Sequence, residues 1–188
     1  MLGSSREECK NLKGRPSIRR GSQQAGFFLL LSGLLYFLIT RFLFFFISVP
    51  TPSMYPAIQP GDRILTTRLY DTGEITRGDI LVFQSEELDE VLVKRVIGLP
   101  GDGIVIKETG EVFVNGERLA EEYVEYPDSL AGQYLVPEDS YYFLGDFRVH
   151  SFDSRKWNQP YIPEGAILGE GQWVVTPLPR FGQVDEGI

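Results

Sequence analysis

Two hydrophobic patterns divide the chain. The first is a single block: AGFFLLLSGLLYFLIT, Ala25 to Thr40, carries no charge and is followed by Arg41 and then FLFFFI, Phe42 to Ile47. The second begins past Ser48, where short runs rich in Val, Ile, Tyr and Phe recur between Gly, Pro and Asp: DRILTTRLY, DILVFQ, EVLVKRVIG, GIVIK, EVFVNGERL, YYFLGD and GQWVVTPL. Runs of that length and composition predict β-strands. In EVFVNGERL, Asn115-Gly116 separates a strand-like run from a shorter polar one, the signal of a type I′ hairpin. No stretch after residue 48 keeps a helical period over ten residues, and no internal repeat is present. The pattern predicts a mainly β protein, an antiparallel sheet or barrel-like domain of roughly 135 residues behind an N-terminal helix.

Ala25 to Ile47, written as a helix, would span roughly 35 Å at about 1.5 Å per residue, enough for a hydrocarbon core of about 30 Å. Arg41 lies near the far end, where its stem can snorkel to the interface. The competing readings are a cleaved signal peptide and a buried core helix. The run is longer than a signal-peptide core and leads into Ser48-Val49-Pro50-Thr51-Pro52, without a small-x-small exit. The expectation is therefore an uncleaved single-pass anchor at 25–47, a basic tail at 1–24 and a β-rich domain at 48–188.

Charge gives the anchor a direction. Residues 1–20 hold six basic residues (Arg6, Lys10, Lys13, Arg15, Arg19, Arg20) against Glu7 and Glu8, a balance of +4; with a net −8 overall, the rest of the chain carries −12. Basic residues ahead of the span place the N-terminus in the cytoplasm and the acidic bulk on the exported side of an inner, plasma or thylakoid membrane. The acidic balance also argues against a nucleic-acid partner. A single cysteine, Cys9, excludes an intramolecular disulfide. A single histidine, His150, argues against a His-rich metal site and a Ser-His-Asp triad. Neither a metal nor a cofactor is expected.

Two positions carry candidate chemistry. Pro50-Thr51-Pro52-Ser53-Met54-Tyr55-Pro56 has three prolines in seven residues, which forbid a regular helix and restrict where the Ser53 hydroxyl points. In EVLVKRVIG, strand alternation puts Leu92, Lys94 and Val96 on one face and Val93, Arg95 and Ile97 on the other, so either Lys94 or Arg95 lies on a mainly apolar surface. A buried lysine loses proton affinity, and a neutral amine can act as a general base. The plain alternatives are a solvated turn serine and an edge-strand lysine that blocks aggregation.

PTPSMYPAIQPGDRI, RGDILVF, VLVKRVIGLPGD and LGDFRVHSFDSR, followed by IPEGAILG, stand in this order between Pro50 and Gly169. Together they resemble the type I signal peptidases, membrane-bound Ser/Lys proteases that remove signal peptides from preproteins. The resemblance implies Ser53 as nucleophile and Lys94 as general base. It implies an oxyanion hole from the Ser53 N–H and the Thr51 hydroxyl, Ser151 as the group that orients the lysine, and Asp153 with Arg155 as a bracing pair. It also implies that the partners are preprotein signal peptides and the lipid bilayer. The family's usual Gly-Asp-Asn-Arg followed by Asn-Ser reads here Gly145-Asp146-Phe147-Arg148-Val149-His150-Ser151, so Phe147 and His150 replace amides. An inactive membrane-tethered binding homologue is the alternative. A self-cleaving repressor would need a DNA-binding helix-turn-helix where this chain has a basic tail and an apolar span.

Overall fold

The computed structural model describes residues 18–184; the basic residues from Arg6 to Arg15, and Cys9, lie outside them. The chain divides into two compact units, Met1–Ile39 and Thr40–Ile188. The described part of the first unit belongs to one α-helix, α1, Ile18–Phe42. Within it, Gln24–Phe42 is long and apolar enough to cross a membrane, with a mean hydropathy of 1.8, and its large side chains from Phe27 to Leu38 are exposed.

The helix stops short of the expected end of the span. Leu43 is a turn, and Phe44–Ser48 forms strand β1 rather than a last turn of helix. The reason is a partner far along the chain: Phe44 to Ser48 pair antiparallel with Thr67 to Arg63, and Phe45 and Ile47 pack on a buried cluster. An aromatic and β-branched run prefers a half-buried pleated surface once such a partner exists.

The second unit is built from antiparallel strands. After β1 come β2 Arg63–Arg68, β3 Ile80–Ser85, β4 Glu90–Gly98, β5 Gly103–Ile106, β6 Val112–Val114, β7 Glu117–Arg118, β8 Gly132–Leu135, β9 Ser140–Leu144, β10 Tyr161–Pro163, β11 Ile167–Thr176 and β12 Gly182–Gln183. Among the described residues no α-helix follows Phe42, only single 3-10 turns. The larger sheet runs β1-β2-β11-β3-β4-β9-β10, with β12 beside β11; the smaller runs β7-β6-β5-β8. The turn between β6 and β7 is the expected hairpin, with Asn115 at φ 53° and Gly116 at φ 86°, the left-handed pair a type I′ turn requires.

The larger sheet is covered on both faces. Along β3, Ile80 and Val82 enter one buried cluster with Met54, Ile58, Ile64 and Val174, while Leu81 and Phe83 enter another with Val96, Phe143 and Trp157. Burial on both sides explains why DILVFQ reads as a continuous apolar run rather than an alternating one. On β9, Tyr142 and Leu144 turn to a third cluster shared with Ile104 and Val112 of the smaller sheet.

Phe83 is fully buried, stacked on Phe143 at 4.4 Å and edge-on to Trp157 at 6.1 Å. Phe83→Ala should lower the stability of the second unit by about 3–5 kcal/mol, the range for deleting a buried aromatic. Denaturant unfolding of the full chain in detergent, followed by tryptophan fluorescence, reads this out; a loss below about 1 kcal/mol would contradict the packing described.

Candidate active site

Ser53 sits in the loop between β1 and β2, and that loop is pinned at both ends. Val49 N–H donates to Asp62 O at 2.9 Å and Gly61 N–H to Val49 O at 2.9 Å, closing its base. Met54 and Ile58 are fully buried and joined by a backbone hydrogen bond of 2.8 Å, so the residue after Ser53 is a core anchor. Asp62 caps the loop by accepting from Gln59 N–H at 2.8 Å and from the Arg180 guanidinium. The result is a serine that is 5% exposed.

Lys94 comes to it from β4, in register with Leu81 of β3. Its Nζ lies 2.6 Å from Ser53 Oγ and 3.1 Å from the Val93 carbonyl oxygen. Thr51 Oγ1 donates to the same Ser53 Oγ at 3.3 Å. Among the described residues the Ser53 N–H donates to no backbone carbonyl. The three groups line a groove of about 480 Å³ together with Phe45, Ile47, Val49, Leu92, Val93 and Leu168.

Burial dominates the protonation of Lys94. With the side chain nearly removed from water, desolvation pulls the amine down from 10.5 to about 8, against the opposing pull of the Asp153 and Asp146 carboxylates. Asp153 itself is pushed up by burial, but hydrogen bonding and charge from Arg155 outweigh this and hold it below the ordinary carboxylate value. Asp146 is fully buried and grips Arg95 through two bonds, to Nε at 2.9 Å and Nη2 at 2.8 Å.

Lys94 and Arg95 are therefore both buried, each at 3% exposure, although alternation required only one of them to meet an apolar surface. Arg95 tolerates burial because its donors are used: besides Asp146, Nη1 reaches the Gly78 carbonyl at 2.8 Å, and the guanidinium lies over the Tyr123 ring at 4.1 Å.

The loop Gly145–Arg155 supplies the third side. Asp153 and Arg155 form the expected pair, Arg155 Nε to Asp153 Oδ1 at 2.8 Å and Nη2 to Oδ2 at 2.8 Å. Ser151 is buried, and its hydroxyl does not bond Lys94; it lies beside the Asp153 carboxylate and favours its charged form. The amine contacts Ser53 and Val93, while the Ser151 hydroxyl lies against Gly145. Phe147 and His150 belong to an aromatic cluster in which Phe147 packs on His150 at 4.7 Å, Tyr126 at 4.9 Å and Tyr55 at 5.8 Å. His150 is not a partner of the Ser53 hydroxyl, whose bonds go to Lys94 and Thr51.

A family model described as signal peptidase, peptidase S26, matches residues 22–176. The chain belongs to the signal peptidase family S26. It is 36% identical over 146 residues to "Signal peptidase I" of Leptolyngbya laminosa, covering 72% of this chain and 70% of that one. It is likewise 36% identical over 165 residues to "Signal peptidase I P" of Bacillus subtilis subsp. natto, covering 81% and 88%. A crystal structure of a signal peptidase I from Enterococcus faecalis V583 superposes with a TM-score of 0.45 and 26% identity, covering 52% of this chain and 96% of that one. Membership of the signal peptidase family makes this chain a peptidase, and the only cluster described above that joins a serine hydroxyl to a buried amine is the one at Ser53.

Sequence reasoning passed over Gly145. A Cβ there would lie 2.2 Å from Ser151 Oγ and 2.4 Å from the Ser53 carbonyl oxygen, so only glycine lets the two loops approach this closely. The available signal was a glycine directly after the apolar run YYFL. Gly145→Ala should push the Ser53 backbone away from Lys94 and lower peptidase turnover by about a hundredfold or more, the scale of an ångström-sized misplacement. Turnover of the folded variant in detergent checks it, with full activity as the contrary result.

Proposed function

We propose that the protein is a membrane-anchored endopeptidase that removes signal peptides from preproteins, with Ser53 as nucleophile and Lys94 as general base. The observation that carries this is the 2.6 Å contact between Lys94 Nζ and Ser53 Oγ in the lining of the apolar groove. A neutral amine at that distance takes the hydroxyl proton as Oγ attacks the scissile carbonyl, then delivers it to the leaving nitrogen. Water then attacks the acyl ester left on Ser53, giving a proton to the same amine, which returns it to Oγ as the ester C–O bond breaks. The Ser53 N–H and the Thr51 hydroxyl are the donors that would meet the negative charge on the tetrahedral intermediate. Asp153 and Arg155 brace the loop, and Ser151 packs on Gly145 beside them.

The substrate end follows from strand edges. β4 pairs with β3 from Glu90 to Arg95, but with β9 only from Arg95 to Gly98, so its stretch up to Lys94 leaves one edge unpaired; β1 is an end strand of the same sheet. An extended peptide can add to such edges through main-chain hydrogen bonds while alternate side chains enter the groove. Small residues before the cut suit shallow pockets, in keeping with the small-x-small exit of signal peptides. Gln24–Phe42 serves as the anchor, with the basic tail in the cytoplasm and the second unit on the exported side.

Ser53→Ala and Lys94→Ala should each cut turnover of a bilayer-embedded preprotein by at least about a thousandfold, because nucleophile and base act as a unit. His150→Ala should stay within about threefold of the parent; a folded His150→Ala as inactive as Ser53→Ala would replace the Ser/Lys scheme with a histidine base. In the same assay, Leu or Phe at the position immediately before the cut should abolish processing that Ala supports.

The pH dependence has a fixed sign. Lys94 must be neutral to act, so activity should climb with pH through about 8. Below that value it should fall roughly tenfold per unit as the ammonium form takes over. A rate flat from about pH 6 to 9 would remove a titrating lysine from the rate-limiting step.

A further inference from the structure

The segment between β7 and β8, LAEEYVEYPDSLA from Leu119 to Ala131, reads as a solvated acidic loop. Its contacts are those of a strap. Glu121 pairs with Arg148, whose side chain is 2% exposed, and a second bond joins Arg148 Nη1 to Glu121 Oε2 at 3.2 Å. Tyr123 lies under the Arg95 guanidinium. Tyr126 packs on Phe147. Asp128 accepts from Arg155 Nη1 at 3.1 Å and stands 3.7 Å from Lys156 Nζ.

The two carboxylates converge on one residue. Arg148, held by Glu121, donates Nε–H to the Gly145 carbonyl at 3.0 Å. Arg155, held by Asp128, grips Asp153, which accepts the Gly145 N–H at 3.1 Å. Gly145 packs against the Ser53 carbonyl and Ser151, and two residues on, Phe147 N–H donates to that same Ser53 carbonyl at 3.1 Å.

We infer that residues 119–131 are a positioning clamp, with Glu121 and Asp128 fixing both polar groups of Gly145 and thereby the place of Ser53 relative to Lys94. The inference rests on the Ser/Lys reading and extends it to two residues that touch neither member of the pair. A guanidinium is a planar fork, so a carboxylate on its outer nitrogens sets the direction of the inner N–H aimed at the backbone. Buried networks of this kind transmit position because each bond orients the next. Glu122 and Glu125, exposed on the same strap and without such contacts, supply matched controls for charge alone.

The test compares Glu121→Gln, Asp128→Asn, Glu122→Gln and Glu125→Gln in the full chain in lipid, on one preprotein, with Ser53→Ala in parallel and thermal unfolding recorded for each. The clamp requires kcat to fall about tenfold or more in Glu121→Gln and Asp128→Asn, with KM within about twofold, and both controls to keep parental kinetics. Asp128 is 19% exposed against 9% for Glu121, so Asp128→Asn is the milder change and carries the test if Glu121→Gln does not fold. Parental kcat in folded Asp128→Asn and Glu121→Gln, with lowered unfolding temperatures, would reduce the strap to a purely structural part and overturn the clamp while an inactive Ser53→Ala left the Ser/Lys reading standing. An active Ser53→Ala would bring down that reading and the clamp with it.

Discussion

A primary amine kept almost dry against a serine hydroxyl is the constraint around which the rest of the second unit is arranged. Removing an ammonium from water costs several kcal/mol even after the surroundings relax, so Lys94 can stay where it is only by loosening its hold on the proton. Two buried carboxylates, Asp153 and Asp146, work against that loosening. Each is matched by its own guanidinium, Arg155 and Arg95, which keeps either from locking the lysine in its charged form. The ion pairs therefore set a local field as much as they hold loops together.

Strand geometry decides where that field is applied. β4 carries Lys94 and Arg95 in succession, pointing to opposite faces, and its two edges are used unequally: β3 covers one along most of its length, β9 covers the other only past Lys94. The same switch that gives Arg95 a paired, enclosed position leaves the stretch before Lys94 open to the groove. One strand thus places the amine, the enclosed guanidinium and an open edge in register.

The mainly β character and the type I′ turn at Asn115-Gly116 were legible from local pattern, while Asp153 and Arg155 were picked out only by the family resemblance. What escaped depended on partners distant in sequence. Phe42 to Ile47 looked like the last turns of a span because an uncharged aromatic run suits lipid and sheet alike, and only β2 decides between them. Arg95 could not be seen as buried because Asp146 lies 51 residues further on. β8, β10 and β12 are four residues or fewer, too short to show a period. Glu121 and Asp128 sit among other acidic residues, and nothing local separates them from Glu122 and Glu125. The role of Gly145 depends on the approach of Ser53 and Ser151, which no local pattern announces.

The cluster of Phe147 with Tyr55, Tyr126 and His150 decides what the site loop responds to. Ring packing draws on apolar burial and dispersion and has no charge to screen. The neighbouring Arg95–Asp146 pair, with side chains 4% and 0% exposed, is also largely out of reach of dissolved ions. Dilute or saline surroundings should therefore leave the loop in the same place. That amounts to tolerance of ionic strength built into the walls of the site.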